Sequence, residues 1–424
     1  VTAPSEGASR NQRPAVLLGL FLLLHILNQV DRNLIASFAP EIVSELKLSL
    51  TQFGVLTGLA FTLFYAVMAL LAGVVADRFG RRGVMAAGLG VWSLMTALSG
   101  TARSFGAMVA MRPIVATGEA TLIPTATAIL SERFPLAHRA TAIGIFFMGI
   151  PIGIGASFIG AAWLGPILGW RNVFLLLGVI GLVLLPLVLR VRDVRLPLVE
   201  PQSQSSGALR SVARDIWQEL RRNAELRLVL LGSVLMHVYL ASTPFVKLWL
   251  TSERGFTSAQ VGQSYGLGVI VLGVVGSLGG GILADAYARR FRGGRAEFLA
   301  LFTLVLAPFM LAFRLVDPGT PLFWAGMGAG IIFYSGFYGP AFAVLQSAVP
   351  DRMRASLTGL SMLLVNVVAL GLGGLLIGMA SDALKAAGSH QSLSLPLLVA
   401  DATSLMTMFC FAAIAMRARR ASPQ

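Results

Sequence analysis

A chain of 424 residues, 56% hydrophobic and only 12% charged, carries too little charge to coat a soluble globule of its size. Long runs of Leu, Ile, Val, Phe and Ala, interrupted by 46 Gly and 19 Pro, fit packed helices in a membrane rather than the alternating strands of a barrel. The net charge of +14 sits mainly at the ends of apolar segments, which is how topology is written in membrane proteins, so no nucleic-acid partner is expected.

In chain order, a polar tail (1–14) precedes an apolar run from Ala15 to Phe38, which is too long for a signal-peptide core and lacks an A-x-A site. On the criterion of about twenty apolar residues per crossing, twelve spans follow, at 15–38, 52–76, 83–101, 105–131, 139–164, 171–190, 226–250, 259–284, 297–316, 320–348, 355–383 and 395–416. They divide into a bundle at 15–190 and another at 226–416, with a short tail at 417–424. Of the 33 Lys and Arg, 24 fall on the side shared by both termini and 7 on the other, with Arg32 and Arg112 inside spans. That bias predicts cytoplasmic termini. Between the bundles, 191–225 reads as a cytoplasmic linker. It contains the low-complexity run Pro201-Gln-Ser-Gln-Ser-Ser-Gly207, then Leu209, Val212, Ala213, Ile216 and Leu220 at helical spacing among arginines. Such a basic amphipathic helix suits the surface of a membrane with anionic lipids. The lone Cys410, in the last span, excludes an internal disulfide and a cysteine metal cluster.

An internal duplication sets the architecture. Gly73, Asp77, Arg81 and Arg82 after span 2 recur as Gly281, Asp285, Arg289 and Arg290 after span 8, each 208 residues on. Pro135, Arg139 and Gly144 recur as Pro350, Arg354 and Gly359, each 215 residues on. The loop GVVADRFGRR, with its weaker copy GILADAYARR, resembles the signature loop of the major facilitator superfamily, and the resemblance covers essentially the whole chain. It implies an all-α membrane protein with twelve transmembrane helices in two pseudo-symmetric six-helix bundles that alternate access to a central cavity. Within the superfamily, Asn28-Gln-Val-Asp31-Arg32-Asn33-Leu34 in span 1 and Arg112-Pro-Ile-Val-Ala-Thr-Gly118-Glu119-Ala120 in span 4 resemble the spinster lipid transporters, most closely the bacterial members. The resemblance implies a secondary active transporter of lysolipids or related anionic amphiphiles in an inner (plasma) membrane, working as a monomer. The Asp-Arg pair of span 1 also occurs in organic anion:cation symporters, so proton-coupled symport of small organic anions is the first alternative. A non-transporting receptor or scaffold is the second.

Charges inside the membrane carry the mechanism. An ionised side chain near the bilayer centre costs on the order of 2.5–3.5 kcal/mol, so it usually lines an aqueous cavity. At 1.5 Å per residue, Asp31 and Arg32 lie roughly 24–25 Å along span 1, and Glu119 and Arg112 roughly 18 and 28 Å from the same side along span 4. Two helical turns separate Arg112 from Glu119, which places them on one face. Two acids and two bases are therefore expected to converge at mid-membrane. Asp31 and Glu119 are the expected proton-coupling sites. Arg32 and Arg112, planar and permanently charged, are the expected ligands of an anionic headgroup. Moving an arginine from an acid onto a substrate anion would leave that acid more readily protonated, linking proton to substrate. The competing structural reading is an ion-paired clamp between spans 1 and 4.

The second half offers His237, Tyr239, Lys247 and Gln346 in its spans but no acid at comparable depth in spans 7, 8, 10 and 11. Asn28, Tyr334, Phe337, Tyr338 and Asn366 are candidate cavity-lining residues, His25 reads as a packing residue, and Lys247 is placed to snorkel to the surface. Asp77, Arg81 and Asp285, with Arg139 and Arg354 as candidate partners, form an expected cytoplasmic gate. No H-E-x-x-H, no phosphate-binding loop and only four scattered His appear. Neither an enzyme, a metal site nor a cofactor is expected, and protons are the expected coupling ion.

Overall fold

The structure is a computed structural model and describes residues 14–191, 206–350 and 353–421. The first part of the expected linker and nearly all of the N-terminal tail fall outside these residues, as do the last three residues of the C-terminal tail. The described chain is helical throughout. In the N-terminal half the helices are α1 (Pro14–Ser37), α2 (Ala39–Glu45), α3 (Leu50–Thr57), α4 (Leu59–Phe79), α5 (Arg81–Ser99), α6 (Phe105–Glu119), α7 (Leu122–Arg133), α8 (Leu136–Phe147) and α9 (Gly149–Leu189). After α10 (Ser206–Arg222) come α11 (Ala224–Glu253), α12 (Ser258–Arg290), α13 (Gly294–Leu315), α14 (Pro321–Ser347) and α15 (Arg354–Leu364). A π-helical stretch, Val365–Leu372, then leads into α16 (Gly373–Ala386), α17 (Ser394–Leu405) and α18 (Thr407–Ala421).

Ten stretches of the described residues are long and apolar enough to cross a membrane, so this is a multi-pass integral membrane protein. One of the ten, Thr141–Leu189, has 49 residues, about 74 Å of helix at 1.5 Å per residue. It reverses at Gly169, whose φ of 72° is a left-handed conformation that a side chain resists. Before the reversal α9 packs along α1, with Gly153 against Gln29 and Gly165 against Phe38. After it the chain returns along α5, with Gly178 and Gly181 against Ser93. Helix α5 is less apolar because it begins Arg81-Arg82, yet it packs between α6 and the returning arm of α9. The arrangement is consistent with twelve passes.

Local chemistry explains the turns. Gly80 in the signature loop has φ 92°, which lets α4 end and α5 begin within one residue. In the second copy Ala288 takes that place, α12 continues to Arg290, and the turn waits for Gly294 at φ 61°. Ser49 with Gln52 and Thr257 with Gln260 form capping boxes that start α3 and α12. Between the bundles, α10 occupies part of the predicted linker, with Ile216 and Leu220 packed on the core and Trp217 exposed under the Arg221 guanidinium.

The core of the N-terminal half gathers Phe21, Met85, Trp92, Leu122 and Phe146. That of the C-terminal half is aromatic, with Phe245, Trp249, Phe313, Phe323, Phe333 and Phe411 fully or almost fully buried. The halves meet at two helix crossings built from small residues. At one, Gly54 and Gly58 of span 2 approach Gly374 and Gly371 of span 11. At the other, Gly155 and Phe158 of span 5 approach Gly266 and Gly262 of span 8. An added Cβ at Gly54 would overlap the Gly374 carbonyl, so backbone meets backbone there. Gly54→Val is expected to force this crossing apart and lower stability by about 1–3 kcal/mol, read as a lower thermal midpoint in detergent. Gly73→Ala, with open space around it, is expected to lose nothing.

Candidate functional site

Span 1 delivers the first two charges. Asp31 is buried and accepts a 2.5 Å hydrogen bond from the Thr96 hydroxyl of α5, while Arg32, one residue on, is half-buried. Span 4 delivers the others from one face of α6: Arg112 sits one residue before the internal Pro113, and Glu119 is the last residue of the helix before the chain breaks at Ala120 and Thr121. The side chains of Arg112 and Glu119 are both buried. The four groups stand close enough to feel one another's charge.

They are not held as ion pairs. Among the described residues, no carboxylate–guanidinium bridge joins these four, and both Glu119 oxygens and the Arg112 Nε lack a hydrogen-bond partner. Both guanidinium groups rest instead on the ring of Phe61, Arg32 at 4.8 Å and Arg112 at 4.5 Å from its centroid, with Arg32 also 4.6 Å from the Tyr65 ring. Aromatic faces hold the arginines by cation–π attraction, and no carboxylate among the described residues bonds to them. The clamp reading is therefore corrected: the aromatic residues of span 2 position the cations. Thr96, Phe61 and Tyr65 gave no signal in the sequence, since a threonine or aromatic residue in an apolar span is ordinary.

Across from this wall stands the C-terminal half. Tyr338 is 44% exposed, lies within electrostatic reach of Arg32, and has its hydroxyl 3.9 Å from Met362 Sδ, itself 38% exposed. Asn28 is buried, with its Nδ2 unpartnered. Asn366 lies in the π-helical stretch and donates to the Met362 carbonyl at 2.9 Å. Tyr334 is stacked beside Tyr239 and borders a residual cavity of about 30 Å³ between the halves, lined also by Asn33, Ile154 and Tyr265. Phe337 is a correction: it is fully buried against Phe333 and Phe411 inside the C-terminal half, about 100° around α14 from its neighbour Tyr338. His25 packs as expected, bonded to the Phe146 carbonyl at 2.9 Å and stacked on its ring.

Of the expected gate residues, Asp77, Arg81 and Asp285 are ion-paired. Arg81 bonds Asp77 at 3.4 Å and pairs with Glu132 of α7, while Asp285 pairs with Arg295 of α13 at 2.8 Å. Both pairings stay within one half, and Asp77 remains 69% exposed. Arg354 donates to the Gln346 carbonyl at 3.1 Å, and the Nε of Arg139 is buried without a hydrogen-bond partner. At this end, which carries Pro14 and Ala421, these charges brace neighbouring helices.

Hydrogen bonds join the halves at the opposite end. Asp382 of α16 accepts from the Leu50 and Thr51 amides at 2.9 and 2.8 Å and from the Thr51 hydroxyl at 2.6 Å, capping α3 across the interface. Ser258 donates to Glu41 at 3.0 Å. Lys247 does not snorkel: it is 1% exposed, and its ammonium donates to the Ser37 carbonyl at the end of α1, 2.5 Å away, with Phe38 beside it. A cation at a helix C-terminus is favourably placed. Nearby, outside the spans, the Trp170 indole donates to Glu45 and, with Arg171, holds that carboxyl below its ordinary range. Between the halves, Tyr338 is exposed and Arg32 partly so.

A family model described as Major Facilitator Superfamily matches residues 21–378. The chain belongs to this superfamily. Its members are transporters and not enzymes, and this transporter handles a small-molecule substrate within the membrane. An MFS-type efflux pump of Mycolicibacterium smegmatis is 32% identical over 412 residues, covering 96% of this chain and 94% of the relative. A probable L-galactonate transporter of Escherichia coli is 27% identical, covering 83% and 79%. The solved structure of a bacterial homolog of the human lysosomal transporter spinster, in an inward-facing, unoccupied conformation, has a TM-score of 0.79 at 24% identity, covering 97% of this chain and 98% of that one. That likeness gives the fold: two bundles of the major facilitator type.

A buried pair in the transporter's second half escaped the sequence reading, which placed Arg314 at a span end. Arg314 and Asp401 are each 1% exposed and bond at 2.8 Å, joining α13 to α17. Removing one partner strands the other, so Asp401→Leu alone is expected to cost about 3–5 kcal/mol. Arg314→Met together with Asp401→Leu is expected to restore most of it, read by thermal unfolding of the purified variants.

Proposed function

We propose that the protein is a spinster-like, proton-coupled transporter of anionic amphiphiles such as lysophospholipids or sphingosine phosphate, working by alternating access as a monomer with both termini in the cytoplasm. One observation carries this reading: Glu119 is buried with neither oxygen hydrogen-bonded, beside two guanidinium groups that rest on Phe61 with no carboxylate bound to them. An ionised carboxyl in that position depends on the electrostatic field of the arginines. A phosphate or carboxylate arriving on Arg32 and Arg112 cancels that field, and the acid then takes up a proton. Loss of the proton to the other compartment returns the arginines to the acid and releases the anion. Asp31, steadied by Thr96, is the second protonation site in this scheme.

The amphiphile is favoured by the opposite wall, where Tyr338 and Met362 offer apolar surface for a tail while the N-terminal wall takes the headgroup. The 27% identity to a probable L-galactonate transporter favours a second reading, proton-coupled symport of small organic anions through the same four charges. Under either reading, Asp382 and Lys247 close the extracellular face, and the opening lies toward the cytoplasm.

In sealed proteoliposomes, uptake of labelled lysophospholipid or sphingosine phosphate is expected to follow an imposed pH gradient. Glu119→Gln is expected to abolish that dependence, and gradient-driven accumulation at the original rate would remove Glu119 from coupling. Arg32→Ala is expected to weaken binding of anionic amphiphiles by about tenfold, the loss of one charge-assisted contact of roughly 1.5 kcal/mol, and to leave neutral amphiphiles little affected. Equal losses for both would count against the headgroup role.

A further inference from the structure

Several buried polar atoms near the meeting of the halves have no hydrogen-bond partner. On the N-terminal side they include the Glu119 carboxyl, Arg112 Nε, Asn28 Nδ2 and the Thr62 hydroxyl. On the C-terminal side two of them are acceptors, His237 Nε2 and Asn366 Oδ1. His237 of α11 is buried, and its Nδ1 lies 2.7 Å from the Ser233 carbonyl four residues earlier. A carbonyl only accepts, so Nδ1 carries the hydrogen. No acid hydrogen-bonds this ring, and a buried imidazolium would add a charge and a second unpaired donor. The ring is therefore neutral and its Nε2 is a bare lone pair. Because Nδ1 is turned back onto its own helix, Nε2 points away from α11, on the ring that meets Tyr338 edge-on at 5.4 Å. Asn366 spends its Nδ2 on the Met362 carbonyl and leaves Oδ1 unpartnered and buried.

A backbone feature marks the same place. Asn366 is the second residue of an eight-residue π-helical stretch, Val365–Leu372, inside an otherwise α-helical span. Such widened turns are rare, cost helix stability, and occur mostly at functional positions. Tyr338 and Met362 join His237 to Asn366 through the ring contact, the Tyr338 hydroxyl at Met362 Sδ, and the Asn366 bond to the Met362 carbonyl. Tyr338 is the residue of this group that faces Arg32.

We propose that His237 Nε2 and Asn366 Oδ1 form a second subsite, which accepts hydrogen bonds from a hydroxyl or ammonium group on the same ligand whose anion sits on Arg32 and Arg112. This rests on the anion reading above and narrows it: the substrate bears hydrogen-bond donors near its acid group, as hydroxy acids and amino-alcohol phosphates do. A simple fatty acid or alkyl phosphate fills the anion site but leaves both acceptors buried and unpaired, which is the arrangement that discriminates most strongly.

The test uses two matched pairs on the full-length purified protein: sphingosine phosphate against octadecyl phosphate, and galactonate against hexanoate. Each pair shares its acid group and differs mainly in donors, and the two pairs separate a lipid source from a small-anion source. In the pair that binds, wild type is expected to prefer the donor-bearing member by at least about tenfold. His237→Phe and Asn366→Leu, shown to fold by their melting curves, are each expected to bring that preference within about threefold. Absence of the preference in wild type, or its survival in both variants, overturns the subsite, and the wild-type comparison decides even if a variant does not fold. If the preference stands while Arg32→Ala leaves every affinity unchanged, the anion reading falls and the donor subsite is supported alone. If none of the four probes binds, both are overturned.

Discussion

A carboxyl group buried in a membrane protein without a hydrogen bond is the constraint around which this transporter is arranged. Glu119 closes α6 at a break in span 4, and neither of its oxygens is bonded. In a low-dielectric interior an ionised carboxyl at that position would depend on charge at a distance, and Arg32 and Arg112 are the cations within electrostatic reach. Contact would neutralise the cations. By resting both guanidinium groups on Phe61, span 2 keeps them close to the acid and still available. Thr96 gives Asp31 a bond that Glu119 lacks, so the two acids stand in different surroundings although they share one cluster.

The scaffold that holds this cluster is built as two bundles. Its inner contacts are tight within each half: Arg81 with Glu132, Asp285 with Arg295, and the sealed Arg314–Asp401 pair. Between halves, glycine crossings at spans 2 and 11 and at spans 5 and 8 allow close approach of the helices, with Ile270 seated against Gly155 and Ile159 against Gly266. Polar bonds are concentrated at one end, where Asp382, Lys247 and Ser258 hold the N-terminal half.

Much of this was legible in the sequence, and the remainder failed for identifiable reasons. Hydropathy located the spans because a bilayer imposes a length, and the 208- and 215-residue offsets exposed the two halves. The four intramembrane charges were visible because each is costly where it stands. What hydropathy cannot give is partnership. Asp77 and Arg81 read as part of a cytoplasmic gate, but that Glu132 of α7 joins them was not visible in the pattern. Lys247 looked long enough to reach water and is instead taken up by the Ser37 carbonyl, a backbone acceptor that no residue pattern announces. Phe61 was one aromatic residue among 25 Phe. The π-helical turn at Asn366 likewise has no compositional mark.

The closed face is sealed by groups that cannot simply be parted. Separating Asp382 from α3 leaves two amides and a carboxylate bare, and withdrawing Lys247 leaves an ammonium and a carbonyl; each must gather its own hydration shell. Opening that side is thus an uptake of solvent as much as a rotation. Solutes too bulky to enter the crevice would hold it shut, so the osmotic strength of the surrounding medium becomes a lever on how often the transporter turns over.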